Sequence, residues 1–332
     1  MPRPIGASIN VRFAPTIVSG AASRLASTRW YLSAVAIFQN EAAHLEEWLA
    51  FSLLQGVEHF LLYDHSSTDG PLAVLQPWID AGIVELIDWP LDWKAGAQAK
   101  AYADALERLR GRSRWSAFID IDEYLYSPTG LAVPSLLADY EGYAGVVVNW
   151  QCYGSSGHRQ RPGGLTIEKY TRRARVDWPR NRRVKTIVDP VLAKEPCGPH
   201  LFTVQPGHAL VTEDFRPIKI TRAPPWRRKL RHLAAAMPYL PFDPYALREP
   251  SVGRVSVERL RINHYATRSA EDVLLKYKDR RTMTARDRRS HARYHDRNEV
   301  EDAVLAAKAD AVRGIIAAVR SGHRVATLVA AE

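Results

Sequence analysis

Cysteine is nearly absent: the 332 residues contain only Cys152 and Cys197, with no Cys-x-x-Cys spacing, so neither a disulfide framework nor a zinc-thiolate site is expected. No apolar run approaches the roughly 18 to 20 residues needed to cross a bilayer, which excludes a spanning anchor within this sequence. No internal repeat is visible, and no glycine-rich phosphate loop follows the first apolar run. Charge of one sign is also short, because 36 Asp and Glu face 46 Lys and Arg, for a net charge of +10. That balance suits an anionic partner such as a nucleotide or a phosphorylated acceptor.

What is present centres on Ala117-Phe118-Ile119-Asp120-Ile121-Asp122-Glu123-Tyr124-Leu125, an apolar run that breaks into three carboxylates within four residues. A buried strand does not hold unpaired negative charge, so a cation is expected where the run leaves the sheet. Read as extended chain, alternation puts Asp120 and Asp122 on one face as metal ligands and points Glu123 elsewhere. Mn²⁺ or Mg²⁺ takes such hard oxygens and completes its shell with waters and substrate phosphates.

Upstream, the pattern repeats as strand, polar loop and helix. Strands are expected at Tyr31 to Phe38, Val57 to Tyr63, Ile83 to Ile87 and Trp115 to Ile121. Helices are expected around Leu45 to Leu53, Leu72 to Ile79 and Gln98 to Leu109. The alternation predicts a mostly parallel α/β sheet with helices on both faces. The polar clusters Gln39-Asn40-Glu41, Asp64 to Asp69 and Asp120 to Glu123 then share one sheet edge, where open α/β sheets bind ligands.

Further on, a short helix is expected at Leu131 to Tyr140 and a strand at Ala144 to Trp150, followed by Gly154-Ser155-Ser156-Gly157-His158, whose small residues permit close backbone approach to a ligand. Pro224 to Pro250 reads as a loop or lid, Arg261 to Tyr265 as a short strand, and Val300 to Val319 as a terminal helix.

Six ordered motifs between about Ala34 and Lys276 resemble glycosyltransferase family 92. They are Phe38-Gln39-Asn40-Glu41 with Glu47-Trp48; Gly56 to Phe60 with Tyr63 to Gly70; Phe118 to Leu125; Asn149-Trp150 with Gly154 to His158; Val184 to Val188; and Asn263-His264-Tyr265 with Ser269. The resemblance implies a Rossmann-like GT-A fold and inverting transfer of a sugar, often galactose, from a uridine diphosphate donor with Mn²⁺. It also matches Asp120 and Asp122 to a metal-binding Asp-x-Asp, and Asp64 to the acid near the donor's base or ribose. Tyr124 and Cys152-Tyr153 depart from the usual family residues.

With that frame, the expected donor contacts are Asn40, Glu41, Asp64, Ser66 and Asp69 on loops; Ser66 and Asp69 also suit a purely turn-forming role. Gln98 suits either a donor phosphate or a helix cap, and Lys185 and Lys276 suit the diphosphate. His264 is the expected third metal ligand, with His200 as its competitor. An inverting reaction needs a carboxylate base, for which Glu168, Asp177, Glu195, Glu213 and Asp214 qualify; Asp177 is preferred because Trp178 beside it suits a sugar face.

The expected organisation is a flexible leader over 1–29, a GT-A catalytic domain over 30–265 and a basic C-terminal helical extension over 266–332. The catalytic domain divides into a nucleotide-sugar half (30–125) and an acceptor half (126–265). Expected partners are a nucleotide sugar and a glycan acceptor, with peripheral membrane contact through the basic extension and no nucleic acid. The expected location is cytoplasmic. A nucleotidyltransferase of similar architecture and a basic nucleic-acid-binding protein are the alternatives.

Overall fold

The structure is a computed structural model that describes residues 28–218, 252–278 and 293–323. Its first half alternates as the hydrophobic pattern requires: β1 (Trp30–Phe38), α1 (Ala42–Leu54), β2 (His59–Asp64), α2 (Pro71–Asp80), β3 (Val84–Asp88), α3 (Ala97–Leu109) and β4 (Ser113–Phe118). Then come β5 (Glu123–Tyr126), α4 (Val133–Leu137), β6 (Gly145–Cys152), α5 (Thr166–Lys169), β7 (Arg172–Arg173), β8 (Val184–Val188), β9 (Ala193–Pro196), β10 (Phe202–Val204) and β11 (Leu210–Thr212). Last are β12 (Arg261–His264), α6 (Ala270–Lys278), β13 (Val300–Glu301) and α7 (Ala309–Arg320).

The central sheet runs β3-β2-β1-β4-β8-β6-β12-β5, with β11 also paired to β6. Strands β3, β2, β1 and β4 are parallel, whereas β8 is antiparallel to both β4 and β6. This is the α/β architecture with helices on both faces expected from the sequence, with a parallel first half and a mixed second half. Alternation along β1 divides the core between the two faces. Leu32, Ala34, Ala36 and Phe38 pack with Leu45, Trp48 and Leu49 of α1 and with Leu75 and Trp78 of α2. Val35 and Ile37 face Ala101, Tyr102, Ala105 and Leu109 of α3. Helices thus cover both faces, as parallel strands require.

The C-terminal helix α7 joins the first of these cores through Val312, Ile315 and Val319, spaced for one helix face. Arg320 anchors its end to Glu46 of α1. The helix expected over Val300 to Val319 is shorter: Val300 and Glu301 pair instead with Arg173 and Arg172, and α7 starts at Ala309. Similarly, the strand expected to reach Ile121 stops at Phe118. The lid expected at Pro224 to Pro250 and almost all of the leader lie outside the described residues.

One glycine has a clear steric reason. Gly56 closes α1 at φ 93°, where a Cβ would sit 2.6 Å from Pro134 Cδ.

Candidate active site

In the parallel half, β1 and β2 end in register, Phe38 beside Asp64, while Val35 of β1 lies beside Phe118 of β4. The three polar clusters therefore emerge from one edge. The first two are stitched together by their own side chains. Asn40, at φ 56°, receives Thr68 N–H at 2.7 Å on its Oδ1 and donates its backbone N–H to Ser67 Oγ at 2.9 Å. Asp64 Oδ1 accepts Ser67 N–H at 2.9 Å, and Asp69 accepts Ala42 N–H at 2.8 Å, occupying the first orphan donor of α1. Asp69 therefore caps a helix, and Ser66, at φ 55°, lies in the left-handed turn beside it.

The acids differ from their expected geometry. Asp120 lies just past β4, and Ile121 and Asp122 form a turn closed by Glu123 N–H donating to Asp120 C=O at 3.0 Å. Strand alternation therefore does not align Asp120 with Asp122, because a turn rotates the chain between them. Asp120 faces outward to Lys185, whose Nζ is 2.9 Å from Oδ2, and to Gln98, whose Nε2 donates to Oδ1 at 3.3 Å. Lys185 is buried and also lies 3.6 Å from Glu123, so its charge is spent on the acid turn. Burial would lower the Lys185 pKa, but Asp120 and Glu123 raise it above the ordinary lysine value. Gln98 reaches the acid turn rather than acting as a helix cap.

The sheet register supplies the rest of the cluster. β12 pairs antiparallel with β5, placing His264 opposite Glu123, and Tyr265 N–H donates to Asp122 C=O at 2.8 Å. Among the described residues, Asp122, Glu123 and His264 bring one potential ligand atom each within 4.8 Å of one another. Asp120 is not in that group, whereas Glu123, expected to point elsewhere, is. His264 Nε2 lies 3.5 Å from Asp122 Oδ1, and Lys276 Nζ lies 2.5 Å from Asp122 Oδ2.

Burial alone would raise the Asp122 pKa, but Lys276, His264 and Arg268 hold it well below the usual carboxylate value. Burial lowers the His264 pKa, outweighing the attraction of Asp122, so its imidazole is neutral and keeps a lone pair. Burial raises Glu123 well above an ordinary glutamate. Glu123 Oε1 and His264 Nδ1 are buried without a hydrogen-bond partner. Two carboxyl groups, an imidazole and two unsatisfied buried polar atoms are a donor set that fits a divalent cation of the Mn²⁺ or Mg²⁺ class. His200, the rival histidine, is buried; its Nδ1 lies 2.8 Å from Val184 O, and it is outside the group of Asp122, Glu123 and His264. Trp150 is buried and packs against both imidazoles, 5.4 Å from His200 and 4.1 Å from His264.

Arg268 was missed in the sequence. It is buried at φ 48°, donates to Glu41 Oε2 at 2.9 Å and to Ile121 C=O at 3.2 Å, and so ties the end of β1 to the acid turn. A lone arginine between Thr267 and Ser269 carries no signal of that reach. Glu41, expected to contact the donor, is the partner of this guanidinium.

Most of the expected base candidates are committed. Glu213 accepts backbone N–H groups from Glu258, Arg259 and Leu260. Glu168 pairs with Arg313, and Asp214 with Arg216 at 2.8 Å. Asp177 is exposed, with Arg175 Nε at 3.4 Å. Its loop is tied to the site through Asn181, whose Oδ1 accepts Cys152 N–H at 2.9 Å, and Cys152 is the sheet partner of His264.

The Gly-Ser loop is filled differently from its expectation. A Cβ at Gly154 would collide with the Arg297 backbone, and Ser155 and Ser156 donate N–H groups to Asp296 and Asn298 at 2.6 and 2.7 Å. The chain's own C-terminal segment, not a ligand, occupies that close approach.

Comparisons with known proteins point to one family. A glycosyltransferase family 92 protein of Ricinus communis is 32% identical over 160 residues, 46% of this chain and 28% of that protein. Galactan beta-1,4-galactosyltransferase GALS2 of Arabidopsis thaliana is 31% identical over 107 residues, 30% of this chain and 21% of that protein. The chain therefore matches less than a third of the length of either relative. Among solved structures, S. aureus TarS 1-349 in complex with UDP is 14% identical with a TM-score of 0.37, covering 65% of this chain and 68% of that one. The family model named "Glycosyltransferase family 92" matches residues 33–219, more than half of the chain and the stretch from within β1 through β11, and the chain belongs to that family.

Proposed function

We propose that this protein is a metal-dependent, inverting glycosyltransferase that moves galactose from UDP-galactose to a glycan acceptor. The observation that carries the reading is the meeting of Asp122, Glu123 and His264 at the sheet edge where β1, β2 and β4 end. Asp122 and His264 would hold Mn²⁺ or Mg²⁺. When bound there, the ion supplies the positive charge that stabilises a departing diphosphate. The galactose assignment draws on the likeness to the galactan beta-1,4-galactosyltransferases of Arabidopsis thaliana.

The chain's own residues would divide the remaining work. Asp64, Asn40 and Ser66 line the loops that suit the nucleoside, with Asp69 and Ser67 fixing their shape. Lys276 stands at the site's entrance as a cation for the diphosphate. Asp177 is proposed as the base: its carboxylate takes the acceptor hydroxyl proton as that oxygen bonds the anomeric carbon. The sugar's bond to the diphosphate breaks with its electron pair leaving on UDP. The basic extension's membrane contact finds no support and forms no part of this proposal; among the described residues no helix is long and apolar enough to cross a membrane.

A nucleotidyltransferase reading is disfavoured by the loop after β1. Its Asn40 and Ala42 N–H groups are taken by Ser67 and Asp69, so it presents no cradle for a triphosphate. The test is a panel of nucleotide sugars with Mn²⁺, reading released nucleoside diphosphate and the anomeric configuration of the product. UDP-galactose turnover with inversion, lost in Asp177→Asn, supports the assignment. Turnover of another donor, retention of configuration, or full activity in Asp177→Asn removes the corresponding part.

A further inference from the structure

Two lysines face the same acid turn, and they differ in exposure. Lys185 comes from the middle of the sheet and its side chain is 1% exposed, locked between Asp120 and Glu123. Lys276 comes from the surface helix α6 and its side chain is 31% exposed, yet its ammonium reaches the buried carboxylate of Asp122. The helix itself is fixed. Ser269 and Asp272 cap its first turn reciprocally, and Asp272 is held in addition by Arg161 and Tyr170. The charge on Asp122 is thus reached from that helix through the four-carbon lysine stem.

We infer that Lys276 is a resident counter-ion for Asp122 that a divalent cation must displace, and that the displaced ammonium then takes up the donor's diphosphate. This rests on the metal-dependent reading above and adds an order of events to it. The Asp122 carboxylate offers one oxygen toward His264 and the other to Lys276. A cation held by Asp122 and His264 cannot share that carboxylate with an ammonium at 2.5 Å without strong repulsion, because both are positive in a buried setting. Arg268 adds a third positive group, but its guanidinium is committed to Glu41 and the Ile121 carbonyl. The exposed side of the Lys276 side chain is the direction in which a diphosphate would arrive. The pair thus keeps the buried carboxylate neutralised while no donor is bound, and discourages metal uptake without nucleotide.

The experiment is Mn²⁺ titration followed by the electron paramagnetic resonance signal of free Mn²⁺, on the full chain and on Lys276→Met, Lys276→Arg and Asp122→Asn. UDP binding at saturating Mn²⁺ is measured in parallel. Lys276→Met is expected to bind Mn²⁺ about tenfold tighter than wild type and UDP about tenfold more weakly, while Lys276→Arg stays near wild type for Mn²⁺. Unchanged or weaker Mn²⁺ binding in Lys276→Met, with wild-type binding still dependent on Asp122, overturns the displacement alone. No difference between wild type and Asp122→Asn removes the metal reading itself, and the displacement with it.

Discussion

Arg268 Nη1 donates to Glu41 Oε2 at 2.9 Å, across 227 residues of chain; the arginine is buried and the glutamate partly so. The same guanidinium holds the Ile121 carbonyl, so one late residue fixes the first strand's exit against the turn that carries Asp122. The arginine does so in the left-handed region, a conformation that a non-glycine residue holds only when its surroundings determine it.

Breaking this pair leaves a partly buried carboxylate uncompensated. Arg268→Ala is expected to lose about 3 to 5 kcal/mol of stability in urea unfolding. The double variant with Glu41→Gln should recover part of that loss, because the orphaned charge is gone. A loss under 1 kcal/mol in the single variant contradicts the role given to Arg268.

Trp48 makes a second tie, donating its indole N–H to the Glu123 carbonyl at 2.9 Å from the interior face of α1. Its neighbour Glu47 accepts Thr166 and Ile167 N–H groups at 2.7 and 3.0 Å, closing the start of α5. The Glu47-Trp48 pair is therefore scaffolding for the site. Trp48→Phe keeps most of the apolar volume and leaves the Glu123 carbonyl unpaired, which should cost about 1 to 3 kcal/mol, read as a lowered urea midpoint with unchanged slope.

Acid sensitivity has an identifiable source in Asp272. Burial would raise its carboxyl, but His44, Ser269 and Arg161 hold it far below the ordinary aspartate value. His44 itself is lowered, by burial first and by Arg268, and its Nε2 lies 3.7 Å from Asp272 Oδ1. A depressed folded pKa gives stability that is full above about pH 4, the unfolded aspartate value, and is lost as pH falls below it. Melting temperatures of wild type and Asp272→Asn should differ most at pH 7 and converge below pH 4. A constant gap across that range contradicts the assignment.

The readable and unreadable parts of this sequence divide by range. The first four strands and three helices were legible because each βα unit writes its own period locally: Leu45, Trp48, Leu49 and Leu53 face one core, and Val35 and Ile37 alternate toward the other. Asp122 and His264 stand out in the sequence as candidate ligands by residue type, and the structure brings them together. The site's geometry was not, because it depends on pairings between distant segments. Nothing near Glu123 announces that His264 lies opposite it in the sheet, and the turn at Ile121-Asp122 replaces an extended end that hydrophobicity alone suggests. Gly154 was read as space for a ligand, and a glycine does signal close approach, but its sequence does not say that Arg297 is what approaches.

The central claim is that Asp122 and His264 hold the cation on which sugar transfer depends. Its most direct test is initial-rate UDP release from UDP-galactose by purified protein, with Mn²⁺ and with a chelator, for wild type, Asp122→Asn and His264→Ala. The account predicts turnover that chelation abolishes and Mn²⁺ restores, and a loss of at least about 100-fold in Asp122→Asn with a smaller but clear loss in His264→Ala. Wild-type rates that persist in the chelator, or an Asp122→Asn variant as active as wild type, would contradict it.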